Sequence, residues 1–222
     1  MLMKRHMDQE TDELGQMVED MGRDVLAMLE LCMSNVSDGR GEIFDAIFGK
    51  ETEVNRLQMK IDDLAWKIMA LYQPTASDLR RLIGAIKVAA DLERAGDEVC
   101  AMCRRIMEVK RIECSAQAPQ LIEMQTMVKS LLKDGLFAVK ELDEVLSESI
   151  FKADDAIDEA FHGLFEWVRE GLKRDDRNVE LYLSFLSIGR SLERIADHAT
   201  NLAEIAIFIK KGQDVRHHSM KF

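Results

Sequence analysis

From Ile43 onward the apolar residues fall at Ile43, Ile47, Val54, Leu57, Ile61, Leu64, Ile68 and Leu71. Steps of three, four and seven keep all of them on one face of an α-helix. The same periodicity runs through almost the whole chain, and no alternating strand pattern competes with it. Only 12 glycines and 2 prolines punctuate 222 residues, about half of ordinary usage. So few turn-formers exclude a many-stranded sandwich or barrel. Hydrophobic residues make up 47% and charged residues 32%, enough to bury a core and too apolar for a disordered chain. The expected fold class is all-α.

The punctuation that exists predicts six long helices. The first covers roughly Gln9 to Asn35 and ends before Ser37-Asp38-Gly39. The second carries the Ile43 stripe and stops at Pro74, because the residue before a proline leaves the helical region. Thr75-Ala76-Ser77-Asp78 then reads as a capping box, with Asp78 in the role usually held by Glu or Gln. A third helix runs to about Ile112. Pro119 starts the fourth, to about Leu146. A fifth spans about Ser149 to Lys173. The last follows the loop from Arg174 to Asn178 and ends near Gly212, a C-terminal stop.

The chain also repeats itself. Leu92-Glu93-Arg94-Ala95-Gly96-Asp97 recurs as Leu192-Glu193-Arg194-Ile195-Ala196-Asp197, shifted by 100 positions. Glu51 to Asn55 aligns with Asp154 to Asp158, shifted by 103. Two copies of a three-helix unit account for both shifts if one connection differs by three residues. Each helix has one apolar stripe and needs two neighbours to cover it. The expected organisation is therefore two tandem three-helix bundles, residues 1–115 and 116–222, joined near Ile112 to Pro119.

Charge and hydropathy narrow the function. The net charge of −11 repels nucleic acid, and no cluster of more than two or three Lys or Arg offsets it. No apolar run exceeds five residues, as at Ile205 to Ile209, whereas a spanning helix needs about 20. Met1 to Glu10 has two basic residues and no apolar core of a secretory signal. A cytosolic chain with Cys32, Cys100, Cys103 and Cys114 as reduced thiols is expected.

Glu93 with Asp97, Glu193 with Asp197, and Asp154 with Asp158 are spaced i, i+4, which places both carboxylates of each pair on one helix face. Every pair sits on the same flank of its apolar stripe, about 100° round from the core. Between antiparallel neighbours these flanks face each other, so the second and third helices of each half bring four oxygen side chains together. Such a set suits cations that take oxygen ligands, Fe, Mn, Mg, Zn or Ca in the divalent or trivalent state. Solvated acids on an acidic protein would look the same one pair at a time; the recurrence in both halves favours a site. Arg94 and Arg194 point further round, as ion-pair partners.

Other motifs carry less. Cys100-x-x-Cys103 lies inside a helix without a second thiol or histidine pair, and reads as buried thiol rather than zinc site. Glu159-x-x-His162 is half of the signature of di-metal carboxylate bundles, and no second copy occurs. His217-His218 belongs to a polar tail, and the 14 methionines fill apolar stripes. No phosphate-cradling glycine loop, nucleophile elbow or HExxH is present, so a non-enzymatic role is expected. A carboxylate di-metal protein, either metal store or oxidase, is the alternative.

Four segments together resemble the PhoU family, phosphate-signalling regulators of bacteria. They are Gln73-Pro74-Thr75-Ala76-Ser77-Asp78-Leu79-Arg80, the two Leu-Glu-Arg repeats with Asp97 and with Asp197-His198, and Lys211-Gly212 through His217. The resemblance extends from about Gln9 to His217, with the motifs in family order. It implies two tandem three-helix bundles and a cytoplasmic, usually dimeric protein. It further implies an adaptor between the ATPase subunit of the high-affinity phosphate transporter and a sensor histidine kinase of a two-component system. Such adaptors restrain both uptake and the starvation response when phosphate is ample. Some members hold metal clusters on E(D)xxxD motifs. The matching positions here are Glu51 with Asn55, Glu93 with Asp97, Asp154 with Asp158, and Glu193 with Asp197. Asn55 departs from the motif. Ala95-Gly96 and Ile195-Ala196 replace the family's usual Ile-Gly and leave the ligand positions intact.

Overall fold

The computed structural model describes residues 2–38, 41–109, 118–174, 178–213 and 215. Six helices account for nearly all of them: α1 (Leu2–Asp38), α2 (Gly41–Tyr72), α3 (Ala76–Val109), α4 (Pro119–Glu141), α5 (Glu144–Arg174) and α6 (Val179–Lys211). The helices of each half pack pairwise into a three-helix bundle, and the two bundles join through α3 against α6 and, more sparingly, α1 against α4. The tandem bundles expected from the repeat are present. They do not keep separate cores, because buried side chains of all six helices form one continuous apolar cluster. The boundary at 115/116, with Cys114, lies outside the described residues, as do His217 and His218.

Local chemistry explains the helix ends. Gln73 leaves α2 through the left-handed region at φ 48° and Pro74 follows, so the helix stops where the proline predicts. Thr75 opens α3. Its carbonyl accepts from the Leu79 amide at 2.8 Å, and its hydroxyl donates to Asp78 Oδ2 at 2.7 Å, a side-chain pair in place of a reciprocal capping box. Gly212 ends α6 in the left-handed region at φ 74°, where glycine is free of Cβ strain. The turn between α4 and α5 falls earlier than expected. Leu142 adopts φ 52° and Asp143 Oδ1 accepts from the Leu146 amide at 3.0 Å, so an aspartate cap starts α5 five residues before Ser149. In addition, α1 begins well before Gln9 and α2 begins at Gly41.

The Ile43 stripe is largely as anticipated. Ile47, Val54, Leu57, Ile61 and Ile68 are buried, and Ile43 and Leu64 pack against them. Leu71 is 56% exposed, however, and Ala65 is fully buried instead. Over several turns a stripe spaced by three and four drifts round a straight helix.

Neighbouring helices run antiparallel except α1 with α3 and α4 with α6, the first and third helices of each half. Lys50 pairs with Asp24 at 2.6 Å and Lys67 with Glu10 at 2.6 Å, which sets α2 against α1. Arg80 Nε donates to the Ile209 carbonyl at 3.1 Å and Arg194 pairs with Glu98 at 2.7 Å, which sets α6 against α3. At Gly135 a Cβ would stand 2.9 Å from the Ala199 carbonyl oxygen, so α4 and α6 approach closely only because that side chain is missing.

Candidate functional site

The eight residues singled out from the sequence fall where the repeat puts them. Glu51 and Asn55 lie on α2 opposite Glu93 and Asp97 on α3; Asp154 and Asp158 lie on α5 opposite Glu193 and Asp197 on α6. Each apolar residue beside them (Val54, Leu92, Ile157, Leu192) is buried. That burial holds the acidic flank half out of the core. Glu51, Asn55, Glu93, Asp154 and Glu193 are half-buried, while Asp97, Asp158 and Asp197 are exposed.

In the second half the four carboxylates feel one another strongly. Burial, then the charges of Asp158, Asp197, Asp155 and Glu193, push the Asp154 carboxyl up to about 7. Burial and Asp197 raise Glu193 against the opposing pull of Arg190, and burial and Asp158 raise Asp197. Such mutual repulsion is what a cation relieves. Glu193 is held from one side only. Arg190 pairs with its Oε1 at 2.6 Å, whereas its buried Oε2 meets no hydrogen-bond partner among the described residues.

The first half is weaker in charge. Asn55 Nδ2 donates to Glu51 Oε1 at 2.6 Å, and the buried Asn55 Oδ1 has no hydrogen-bond partner among the described residues. Burial and Asp97 raise Glu93, while Arg94 lowers it. The two halves thus each leave one buried oxygen unsatisfied, and in donor type both sets fit a hard cation. Among the described residues no three His, Cys, Asp or Glu side chains are already gathered as a ready-made cation site. Both sets are shallow carboxylate surfaces that need side-chain rotation to close on an ion.

Other residues fall out of contention or come into view. Cys32, Cys100 and Cys103 are buried, with the Cys103 thiol donating to Cys32 Sγ at 2.7 Å. Burial pushes the Cys100 thiol up to about 12, so it stays protonated. Glu159 and His162 are both exposed. Arg194 is an ion-pair residue as expected, though its partner is Glu98 of the other half. A polar group at the α3–α6 seam lies outside the residues singled out from the sequence. Asp91, only 8% exposed, accepts at Oδ1 from Asn201 Nδ2 at 2.9 Å and lies 2.9 Å from His198 Nδ1. The signal was available: Asp91 stands three residues after Val88 and four before Ala95, on the apolar stripe itself.

Comparison with known proteins agrees with this architecture. The family described as "PhoU domain" matches twice, over residues 18–106 and 121–206. A Burkholderia protein named "Phosphate-specific transport system accessory protein PhoU homolog" is 34% identical over 206 residues, covering 91% of this chain and 87% of its own length. The Escherichia coli K12 "Phosphate-specific transport system accessory protein PhoU" is 29% identical over 94% of this chain and 86% of its own. Among solved structures, the regulatory protein PhoU of Streptococcus pneumoniae superposes with TM-score 0.86 at 27% identity, over 94% of this chain and 99% of its own. With six helices in two matched units, a domain match in each half and a relative one-third identical along nearly its full length, this chain belongs to the PhoU family.

Proposed function

We propose that this chain is a non-enzymatic accessory regulator of phosphate-specific transport. In this role it restrains the starvation response and high-affinity uptake when phosphate is ample. It binds the transporter's ATPase subunit and a sensor histidine kinase, in the cytoplasm and as a homodimer. The observation that carries the proposal is the pairing of a family match over 91% of the chain with a fold of two packed helical bundles. No helix among the described residues is long and apolar enough to cross a membrane. A bundle of this kind acts by binding one state of a partner better than another. Deleting the gene is therefore expected to leave a phosphate-starvation reporter, such as alkaline phosphatase, switched on in phosphate-rich medium. Unchanged repression in the deletion strain, with the protein shown to be expressed in the parent, would count against the regulator.

The carboxylate surfaces serve, in this proposal, as sites for divalent or trivalent cations. Asp154, Asp158, Glu193 and Asp197 would hold one in the second half, and Glu51, Asn55, Glu93 and Asp97 a weaker one in the first. A bound cation supplies positive charge that neutralises the repelling acids and ties adjacent helices together. Four charged ligands against three and an amide make the second half the tighter site. Titration calorimetry with Mn2+ is expected to lose its tighter phase in a Glu193→Ala, Asp197→Ala double variant. Equal metal uptake by this variant and the wild type would sink the assignment. The exposed position of Glu159 and His162 gives a di-metal oxidase or metal store no support.

A further inference from the structure

The face of the molecule formed by α1 and α4 contains a cleft of about 640 Å³. Its origin is a mismatch in length. Helix α1 has 37 residues and its antiparallel neighbour α4 has 23. The two press together at Gly22, where a Cβ would stand 2.4 Å from Leu136. Nearer its N-terminus α1 outruns α4, and the space between them opens down to Leu14, Val18 and Ile209. Phe137 lines the cleft and is 53% exposed. Gly15 lines it too, with no atom within 4 Å of where its Cβ would be.

The charge of the walls is opposite to that of the protein. The chain as a whole carries −11, yet Arg23, Arg81, Lys133 and Lys140 line the cleft against Asp12 and Glu19. Lys133, Phe137 and Lys140 are spaced i, i+4, i+7, so α4 offers an aromatic ring between two ammonium groups on one face. The acids already near them hold them loosely. Lys140 pairs with Glu19 at 3.0 Å with both side chains at least 40% exposed, and Lys133 reaches Glu30 only at 3.8 Å. Exposed pairs of this kind are worth less than about 1 kcal/mol, so an incoming carboxylate exchanges with them at little cost.

We infer that this cleft is a docking groove for an amphipathic helix of a partner protein whose apolar stripe is flanked by acidic residues. An apolar stripe at helical spacing covers Phe137 and the floor. The bare backbone at Gly15 admits close approach. The basic majority of the walls selects acidic flanks over basic ones. The inference is independent of cation binding and of the regulatory assignment.

The probe is a fluorescein-labelled helical peptide with leucine at helical spacing and glutamate on its flanks, compared by anisotropy with a twin carrying lysine instead. The glutamate peptide is expected to bind the wild-type protein, and the lysine twin about tenfold more weakly or worse. Gly15→Trp, which fills the cleft from an open helical position, should abolish binding. Gly163→Trp makes the same change at another open glycine, on α5, and should bind as the wild type does. A Lys133→Glu, Lys140→Glu variant should weaken the glutamate peptide about tenfold. Circular dichroism establishes that each variant is folded. Equal affinity for the two peptides, no binding of either, or binding untouched by Gly15→Trp overturns the inference, as does a loss shared by Gly163→Trp. Sedimentation identifies the remaining rival: if Gly15→Trp turns a wild-type dimer into a monomer, the occupant is a second copy of this chain and the partner helix is wrong.

Discussion

Leu192→Asp is expected to leave no folded protein at all. Leu192 is fully buried on α6, the helix that packs against α3, α4 and α5 together. Losing the leucine side chain from such a position costs about 2–5 kcal/mol. A carboxylate set down in the buried apolar cluster costs several kcal/mol more, whether it stays charged or takes up a proton to avoid charge. The total reaches the whole stability of an ordinary domain, about 5–15 kcal/mol. Because the core is continuous across both halves, the first bundle should fall with the second. The measurement is circular dichroism with denaturant titration, beside Leu192→Met as a volume-matched control that should lose less than about 1.5 kcal/mol. A cooperative melt within 5 °C of wild type for Leu192→Asp would contradict the packing described, taking about 2–4 °C per kcal/mol for this size of chain.

The second large effect is expected at the seam. Asp91→Leu removes the acceptor that Asn201 and His198 share, and leaves two polar groups of α6 facing an aliphatic chain. Breaking a buried pair from one side costs about 3–5 kcal/mol, or roughly 6–20 °C in melting temperature for this size of chain. Asp91→Asn keeps an acceptor oxygen and should lose much less. Replacing both partners relieves the stranded group, so adding His198→Leu to Asp91→Leu should recover part of the loss. That recovery distinguishes a polar pair from a position that merely tolerates no change. Equilibrium urea unfolding of the four proteins decides it; Asp91→Leu within about 0.5 kcal/mol of wild type would remove the seam from the list of stabilising contacts.

The fold was legible because helix periodicity is redundant: many residues must agree, and a single misplaced one such as Leu71 does not disturb the pattern. The candidate site was legible for the same reason. Glu93 and Asp97 share a flank by spacing alone, and the repeat supplied the second witness at Glu193 and Asp197. What spacing does not carry is one-of-a-kind geometry. The left-handed turn at Leu142 has no glycine to announce it, so α4 was read too long and α5 too short. Asp91 stands on the apolar stripe, but nothing near it in sequence marks what satisfies it, because its donors come from 107 and 110 residues away. The pairing of Arg194 with Glu98 likewise crosses from one half to the other, and the cleft beside Phe137 arises from a difference in helix length. None of these is a property of one helix.

The antiparallel meeting of α3 and α6 sets a pseudo-symmetry for the whole chain. Helices in corresponding positions of two equivalent units that pack antiparallel are related by an approximate twofold axis. A single three-helix unit could make that contact with an identical copy of itself, since a twofold interface is self-complementary. The chain thus has the arrangement that a twofold dimer of half-length subunits would have. The two halves nonetheless differ at the seam. Asp91 of one half faces His198 and Asn201 of the other, while the corresponding positions are Ser191, Glu98 and Ala101. A half-length subunit carrying either set alone would place the same residues on both sides of the axis; a single chain carrying both sets has a heterogeneous interface there instead.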